Sequence, residues 1–170
     1  GAEKPGILHS DGTGRDLSAL GSDIGGAALS EAGLASLRAL DPAKLPIVSA
    51  PRLGPCVAGT GKFICIGLNY SDHAAETGAT VPPEPIIFMK ATSAICGPND
   101  PIVIPRGSVK TDWEVELAVI IGSKAKYVSQ ADAMNHVAGY AITNDVSERA
   151  FQTERSGQWT KGKSCDNFGQ

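Results

Sequence analysis

Several things are scarce in this 170-residue chain, and each scarcity excludes a class of protein. There is no basic excess: 15 Lys and Arg stand against 18 Asp and Glu, for a formal net charge of −3. Nucleic-acid binders normally carry the opposite balance, so no nucleic-acid partner is expected. Cysteine is sparse. Cys56, Cys65, Cys96 and Cys165 form no CxxC pair and sit at no zinc-finger spacing, which points to reduced thiols in a cytoplasmic protein rather than a disulfide framework. No apolar run approaches the ~18 residues of a membrane span, so no membrane partner is expected. The start, Gly1-Ala2-Glu3-Lys4-Pro5, has no signal-peptide core and no initiator Met, which suggests a chain incomplete at its start. Internal repeats and low-complexity segments are also lacking.

What is plentiful is turn chemistry. The 20 Gly and 11 Pro amount to about 18% of the chain, above an average near ~12% and below low-complexity levels. With 42% hydrophobic residues, this describes a β-rich, turn-rich globule of one domain with a small appendage. Residues 1–60 read as that small N-terminal domain and linker, and residues 61–170 as the main domain. In the first, residues 6–9 suggest a strand ended by an Asp11-Gly12 turn. Residues 30–40 suggest a helix capped by Ser30, and the prolines at 46, 51 and 55 a linker. In the second, 62–67 reads as a buried strand, 69–77 as helical turns closed by Gly78, and 86–89 and 102–104 as strands. A strand is expected over 112–121, a helix over 130–136, a strand over 137–143 and a helix over 146–155. Residues 156–170 read as a Gly-rich loop.

Four groups of residues can carry chemistry. On a strand, Glu114 and Glu116 point to one face, and two buried carboxylates side by side repel unless one is protonated or a cation sits between them. Oxygen ligands select a hard cation, Mg²⁺, Mn²⁺ or Ca²⁺. The same spacing also suits a solvated strand face. Asp145, at the end of a strand, can be a third ligand or a helix N-cap. His73 and Glu76 share a helix face, where with Asp72 they form a general-base set or an ordinary surface pair. Lys163, in Gly162-Lys163-Ser164, can reach a developing oxyanion or lie solvated in its loop. Gly59-Thr60-Gly61-Lys62 is not a P-loop: Cys56 and Phe63 occupy positions that need Gly and Ser or Thr.

Taken in order, these segments resemble the fumarylacetoacetate hydrolase superfamily. The stretch 67–76, Gly-Leu-Asn-Tyr-Ser-Asp-His-Ala-Ala-Glu, resembles its G-x-N-Y-x-x-H-x-x-E segment. Phe88-Met89-Lys90 with Gly97-Pro98 resembles F-x-K…G-P, and Asp112-Trp113-Glu114-Val115-Glu116-Leu117 resembles the D-x-E-x-E-L metal strand. Asn144-Asp145-Val146-Ser147-Glu148-Arg149 with Gln152 resembles N-D-x-S-x-R-x-x-Q, and residues 162–164 resemble the G-K-S loop. Five motifs in order over 62–169 set aside the bland alternatives.

The resemblance implies a mixed, β-rich α+β fold, a β-roll preceded by a small N-terminal domain. It implies Glu114, Glu116 and Asp145 as ligands for Mg²⁺ or Mn²⁺, and His73 and Glu76 as the dyad that activates water or moves a proton. Lys163 would lie beside the reacting oxygen, Lys90 and Gln152 at the substrate, and Arg149 in a structural ion pair. The implied substrate is a small carboxylic acid, cleaved hydrolytically at a C–C bond as an acylpyruvate or diketo acid. The loop 152–169 also resembles ureidoglycolate lyases, which cleave C–N, and isomerase or decarboxylase chemistry suits the same scaffold. Family members are commonly homodimers and continue beyond the G-K-S loop. The expectation is therefore a chain lacking the C-terminal part of the roll, either a piece of an enzyme or a truncated inactive relative.

Overall fold

The computed structural model describes residues 3–170. Gly1 and Ala2 of the N-terminal stretch lie outside the described residues. Backbone contacts divide the chain into two units. The first holds Gly1–Thr60, Gly97–Asn99 and Val115–Thr143; the second holds Gly61–Cys96, Asp100–Glu114 and Asn144–Gln170.

In the first unit, β1 (Gly6–Leu8), β2 (Gly14–Asp16) and β3 (Ile47–Val48) form a three-stranded antiparallel sheet. The β1–β2 turn closes as expected around Gly12, whose φ of 81° is open to glycine. Asp11 locks it: its carboxylate accepts from Thr13 N at 2.9 Å, Thr13 Oγ1 at 2.6 Å and Arg15 NH2 at 2.8 Å. Those bonds favour the charged form and hold the Asp11 carboxyl well below the usual range. Helix α1 (Glu31–Arg38) begins where the sequence places it, with Ser30 Oγ accepting from Gly33 N at 3.1 Å. The expected linker contains β3. Strands β7 (Val115–Ile121) and β8 (Val137–Asn144) pair with each other. Of the helix expected over 130–136, one 3₁₀ turn forms at Ala133–His136.

The second unit is built on β4 (Phe63–Gly67) paired antiparallel with β5 (Ile86–Lys90), in register from Phe63↔Lys90 to Gly67↔Ile86. Strand β4 was expected to be buried on both faces. Instead it alternates: Phe63, Cys65 and Gly67 turn inward, while Ile64 and Ile66 are exposed. Ile87 and Met89 do the same on β5, as do Val115, Leu117, Val119 and Ile121 on β7. Residues 102–104 form no strand, because Pro101 and Pro105 bracket them and supply no ladder donors. The single strand expected over 112–121 breaks at Trp113 and Glu114 into β6 (Thr111–Asp112) and β7. Strand β6 pairs with β9 (Ser147–Glu148), which replaces the start of the helix expected at 146–155; a π-helical turn, Ala150–Glu154, follows it. Residues 156–170, expected as loop, contain α3 (Thr160–Lys163), and Gly169 bridges to Ile95 and Asp145.

The second unit has a charged interior. Alongside Ala74, Ala94, Val146, Ala150 and Phe168, it buries Lys90, Asp145, Ser147, Glu148, Gln152 and Lys163. Phe168 is its one large aromatic at 0% exposure, pinned by hydrogen bonds from Phe168 N to Cys165 O and from Gly169 N to Ala94 O. Phe168→Ala is expected to cost about 3–5 kcal/mol, read as a shift in urea midpoint. Tyr127→Ala, at a ring 97% exposed, is expected to stay within about 0.5 kcal/mol.

Candidate active site

Strand alternation delivers the site's walls. Cys65 on β4 and Phe88 and Lys90 on β5 share the inward face, Cys65 being paired directly with Phe88. Trp159 packs edge-on against Phe88, with centroids 5.3 Å apart at 64°. It also lies against Gly67, where an added Cβ would come within 2.8 Å of the indole ring. After Gly67 the chain turns through Leu68, held at φ 50°, into α2 (Ser71–Glu76). A non-glycine residue in that region is strained, which marks this turn as one its surroundings enforce.

Lys90 is 1% exposed, and its ammonium is fully engaged. It donates to Val146 O at 2.9 Å and Lys163 O at 2.6 Å, and lies 2.6 Å from Asp145 Oδ1. Burial pushes its pKa down, against the pull of Asp145. Expected at the substrate, Lys90 here ties β5 to the loops bearing Asp145 and Lys163. Lys163 is 2% exposed and bridges two carboxylates, Glu114 Oε2 at 2.7 Å and Asp145 Oδ2 at 3.0 Å. Its ammonium also lies 5.1 Å from the centre of the Phe88 ring. Helix α3 presents it because Gly162 packs tightly; a Cβ there would sit 2.5 Å from Glu148 O and 2.6 Å from Gln152 N. Ser164 Oγ accepts from Ala91 N at 2.8 Å and fixes the loop's exit.

Arg149 closes the cluster, pairing with Asp112 at 2.9 Å and Glu114 at 2.5 Å and donating to Gln152 Oε1 at 3.1 Å. Burial opposes ionisation of Glu114, but Lys163 and Arg149 outweigh it and hold its carboxyl below the usual glutamate range. Glu148 faces away from this cluster. Its buried carboxylate accepts from Ser108 Oγ, Thr111 Oγ1 at 3.1 Å, Lys110 N at 3.2 Å and Ala150 N at 3.0 Å. Burial is again outweighed, here by hydrogen bonds, and Glu148 titrates below the usual range.

The structure thus brings Glu114, Asp145, Lys90, Lys163, Arg149 and Gln152 together. It does not pair His73 with Glu76: both are exposed on α2, and among the described residues their side chains make no ion pair with each other or with the cluster. Glu114 lies in the break before β7, so strand alternation does not set it beside Glu116, which is half-buried on β7 in the first unit. Among the described residues, no three of His, Cys, Asp and Glu converge on one cation position. The donor chemistry nevertheless suits a hard cation. Asp145 and Glu114 offer carboxylate oxygens, which suit such an ion, and Asp145 Oδ1 is buried with the Lys90 ammonium at 2.6 Å. Sequence reasoning assigned no role to Asp112, Cys65, Phe88, Trp159 or Glu148; the in-phase alternation of β4 and β5 was the signal for Cys65 and Phe88.

Residues 62–170 match the family model described as the fumarylacetoacetate hydrolase C-terminal domain. The chain belongs to the fumarylacetoacetate hydrolase family. A Burkholderia multivorans protein that carries a hydrolase name is 65% identical over 170 residues, 99% of this chain and 60% of that protein. The chain therefore spans about 60% of the length of the curated relatives it matches. Among solved structures, a fumarylacetoacetate hydrolase from psychrophilic Exiguobacterium antarcticum is 32% identical with a TM-score of 0.74, covering 96% of this chain and 58% of that one. A probable 2-hydroxyhepta-2,4-diene-1,7-dioate isomerase from Mycobacterium abscessus is 30% identical with a TM-score of 0.74, covering 98% and 57%. The mixed, β-rich architecture is the one this family shares. Among the described residues no helix is long and apolar enough to cross a membrane.

Two outcomes follow for the groups around this cluster. Because the Glu148 carboxyl is lowered in the folded state, its stabilisation is complete above the unfolded value near ~4.3 and is lost as pH falls toward the folded one. Glu148→Gln is expected to be less stable at pH 7 and to show a flatter loss of stability below about pH 4.5, measured by denaturant titration across pH. Burial and the Asp145 charge push the Cys65 thiol up to about 11. At pH 8 its thiolate fraction lies roughly two orders of magnitude below that of a free thiol at ~8.5. Iodoacetamide followed by peptide mass mapping should label exposed Cys56 well before Cys65.

Proposed function

We propose that this chain carries the catalytic side chains of a divalent-metal-dependent enzyme acting on a small 2-oxo carboxylic acid. The observation that supports it most is a buried carboxylate, Asp145, set beside a second carboxylate, Glu114, with the Lys163 ammonium within 3.0 Å of both. Mg²⁺ or Mn²⁺ would be held by Glu114 and Asp145, with Glu116 as the third ligand that the family motif implies. Such a cation, when bound, acts as a Lewis acid on the keto and carboxylate oxygens of the substrate and stabilises negative charge as the neighbouring bond breaks.

The chain's own residues supply the rest. His73, exposed on α2, takes a proton from water or from the substrate carbon, with Asp72 and Glu76 on the same short helix. The Lys163 ammonium stabilises charge on the attacked carbonyl. Trp159 and Phe88 wall the inward face and limit water there. Lys90 and Arg149 keep the two carboxylates placed, and Gln152 is held by Arg149 at the cluster's edge.

With water as the nucleophile the reaction is hydrolytic C–C cleavage of an acylpyruvate or diketo acid. The hydrolase names of two relatives support this order of preference. A relative named as an isomerase supports the second reading, in which His73 moves a proton without water. C–N cleavage of ureidoglycolate, or decarboxylation, would use the same residues. The homodimer rests on the family resemblance, and the cytoplasmic setting on four cysteines that form no paired motif.

Asp145→Ala is expected to abolish metal-dependent turnover of an acylpyruvate; unchanged turnover removes the ligand assignment. His73→Ala should lower turnover by about 10²–10⁴-fold and leave Mn²⁺ affinity intact. Loss of Mn²⁺ binding in that variant would show that His73 has been misassigned.

A further inference from the structure

Lys163 has to be aimed, and the element that carries it cannot aim itself. Helix α3 is four residues long and contains Gly162. One turn of helix is not stable alone, and glycine weakens it further. Its N-cap is Trp159, whose indole carries a donor and no acceptor, so it cannot cap the free N–H groups at the helix start. The lysine stem is itself long and flexible. Tertiary contacts therefore decide where the ammonium points.

Those contacts converge on Trp159. Its carbonyl accepts from Gly162 N at 2.9 Å and from Lys163 N at 3.1 Å, which fixes the backbone of the turn. Its indole meets Phe88 edge-on at 5.3 Å, and the Phe88 ring centre lies 5.1 Å from the Lys163 ammonium. The indole is seated on Gly67, where a Cβ would come within 2.8 Å of its outer ring. Gly67 is a strand residue and does not have a positive φ, so glycine serves there for space rather than for backbone freedom. Just beyond Gly67 the chain turns through Leu68 into α2, which bears His73. One residue thus touches the strand end from which α2 departs, the ring beside the ammonium and the helix that carries the lysine.

We propose that Trp159 is a positioning residue that aims the Lys163 ammonium at Glu114 and Asp145, and that Gly67 is the seat that fixes its indole. The effect on turnover rests on the function proposed above; the placement of Lys163 does not.

The test is a pair of substitutions at the seat. Gly67→Ala puts one methyl group against the indole with no new demand on the backbone. Trp159→Phe gives up the outer ring atoms that meet that methyl and keeps an aromatic edge for Phe88. Acetylation by limiting acetic anhydride at about pH 8, followed by peptide mass mapping, reads the protection of each lysine. In wild type Lys163 and Lys90 are both expected to resist, being 2% and 1% exposed. Gly67→Ala is expected to speed acetylation of Lys163 about tenfold by local opening and to leave Lys90 protected. Lys90 keeps Val146 O and Asp145 in that variant. Adding Trp159→Phe to Gly67→Ala is expected to restore protection of Lys163. In the same series, kcat for an acylpyruvate is expected to fall about 10²-fold in Gly67→Ala, the cost of a ~1 Å misplacement, with KM little changed and partial recovery in the double variant.

Unchanged protection of Lys163 in Gly67→Ala overturns the positioning role. Exposure of Lys90 together with Lys163 overturns it too, because that marks general loosening. A double variant as reactive as Gly67→Ala overturns the seat. Where Gly67→Ala does not fold, Trp159→Leu is labelled in its place and judged by the same two lysines. Absence of turnover in wild type overturns the proposed function, while the labelling still decides the placement.

Discussion

Asp145 sits between two lysine ammoniums with both carboxylate oxygens withdrawn from water, and the second unit is organised around keeping that charge compensated. A buried ion is tolerated only when its partners are held in place, and removing one partner is strongly destabilising, by about 3–5 kcal/mol. Lys90 on β5, Lys163 on α3 and the loop carrying Asp145 therefore have to arrive together. The hydrogen bonds that the Lys90 ammonium donates to the Val146 and Lys163 carbonyls are the means by which they do. Where an ordinary domain of this size centres on large apolar side chains, this one centres on lysine and carboxylate, with Phe168 alone among large aromatics fully enclosed.

The same arrangement separates two kinds of chemistry. Buried groups hold a fixed pattern of charge: Glu114 and Glu148 are kept ionised below the ordinary glutamate range, Lys163 and Arg149 answer Glu114, and hydrogen bonds answer Glu148. The groups assigned to proton transfer, His73 and Glu76, stand exposed on a short helix beyond the strained turn at Leu68. Precision belongs to the interior and access to the surface, a division that suits a site whose electrostatics must be preformed while its reactants come and go.

Much of this was legible in the residues, and the parts that were not share a cause. Local signals worked where they are self-contained. Ser30 caps its helix, Asp11-Gly12 closes its turn, and the apolar runs at 63–67, 86–90 and 137–144 become strands. They failed where a distant partner decides. Glu114 leaves the strand because its N–H is taken by Asn144 Oδ1, while its carbonyl accepts from Asp145 N. Ser147 and Glu148 pair with Thr111 and Asp112 instead of starting a helix, since the Glu148 carboxylate is claimed by the 108–111 loop. The polar tail at 156–170 looks like loop in isolation, yet it supplies Lys163 and the buried Phe168. Of the candidate site, the identities of Glu114, Asp145 and Lys163 were readable, but the aromatic wall of Phe88 and Trp159 depends on register that no local motif encodes.

The hydrogen bonds of Lys90 also set a timetable. Its ammonium reaches carbonyls 56 and 73 residues further along the chain, and Gly169 bridges back to Ile95 across a similar stretch. Contacts of that sequence separation require closing long loops before any stabilisation is gained, which slows folding relative to helical proteins of equal size. Until the segment carrying Lys163 docks, the Glu114 and Asp145 carboxylates lack the ammonium that joins them. The site is then a late product of folding, and a nascent chain has no functional intermediate to offer before residue 163 has emerged.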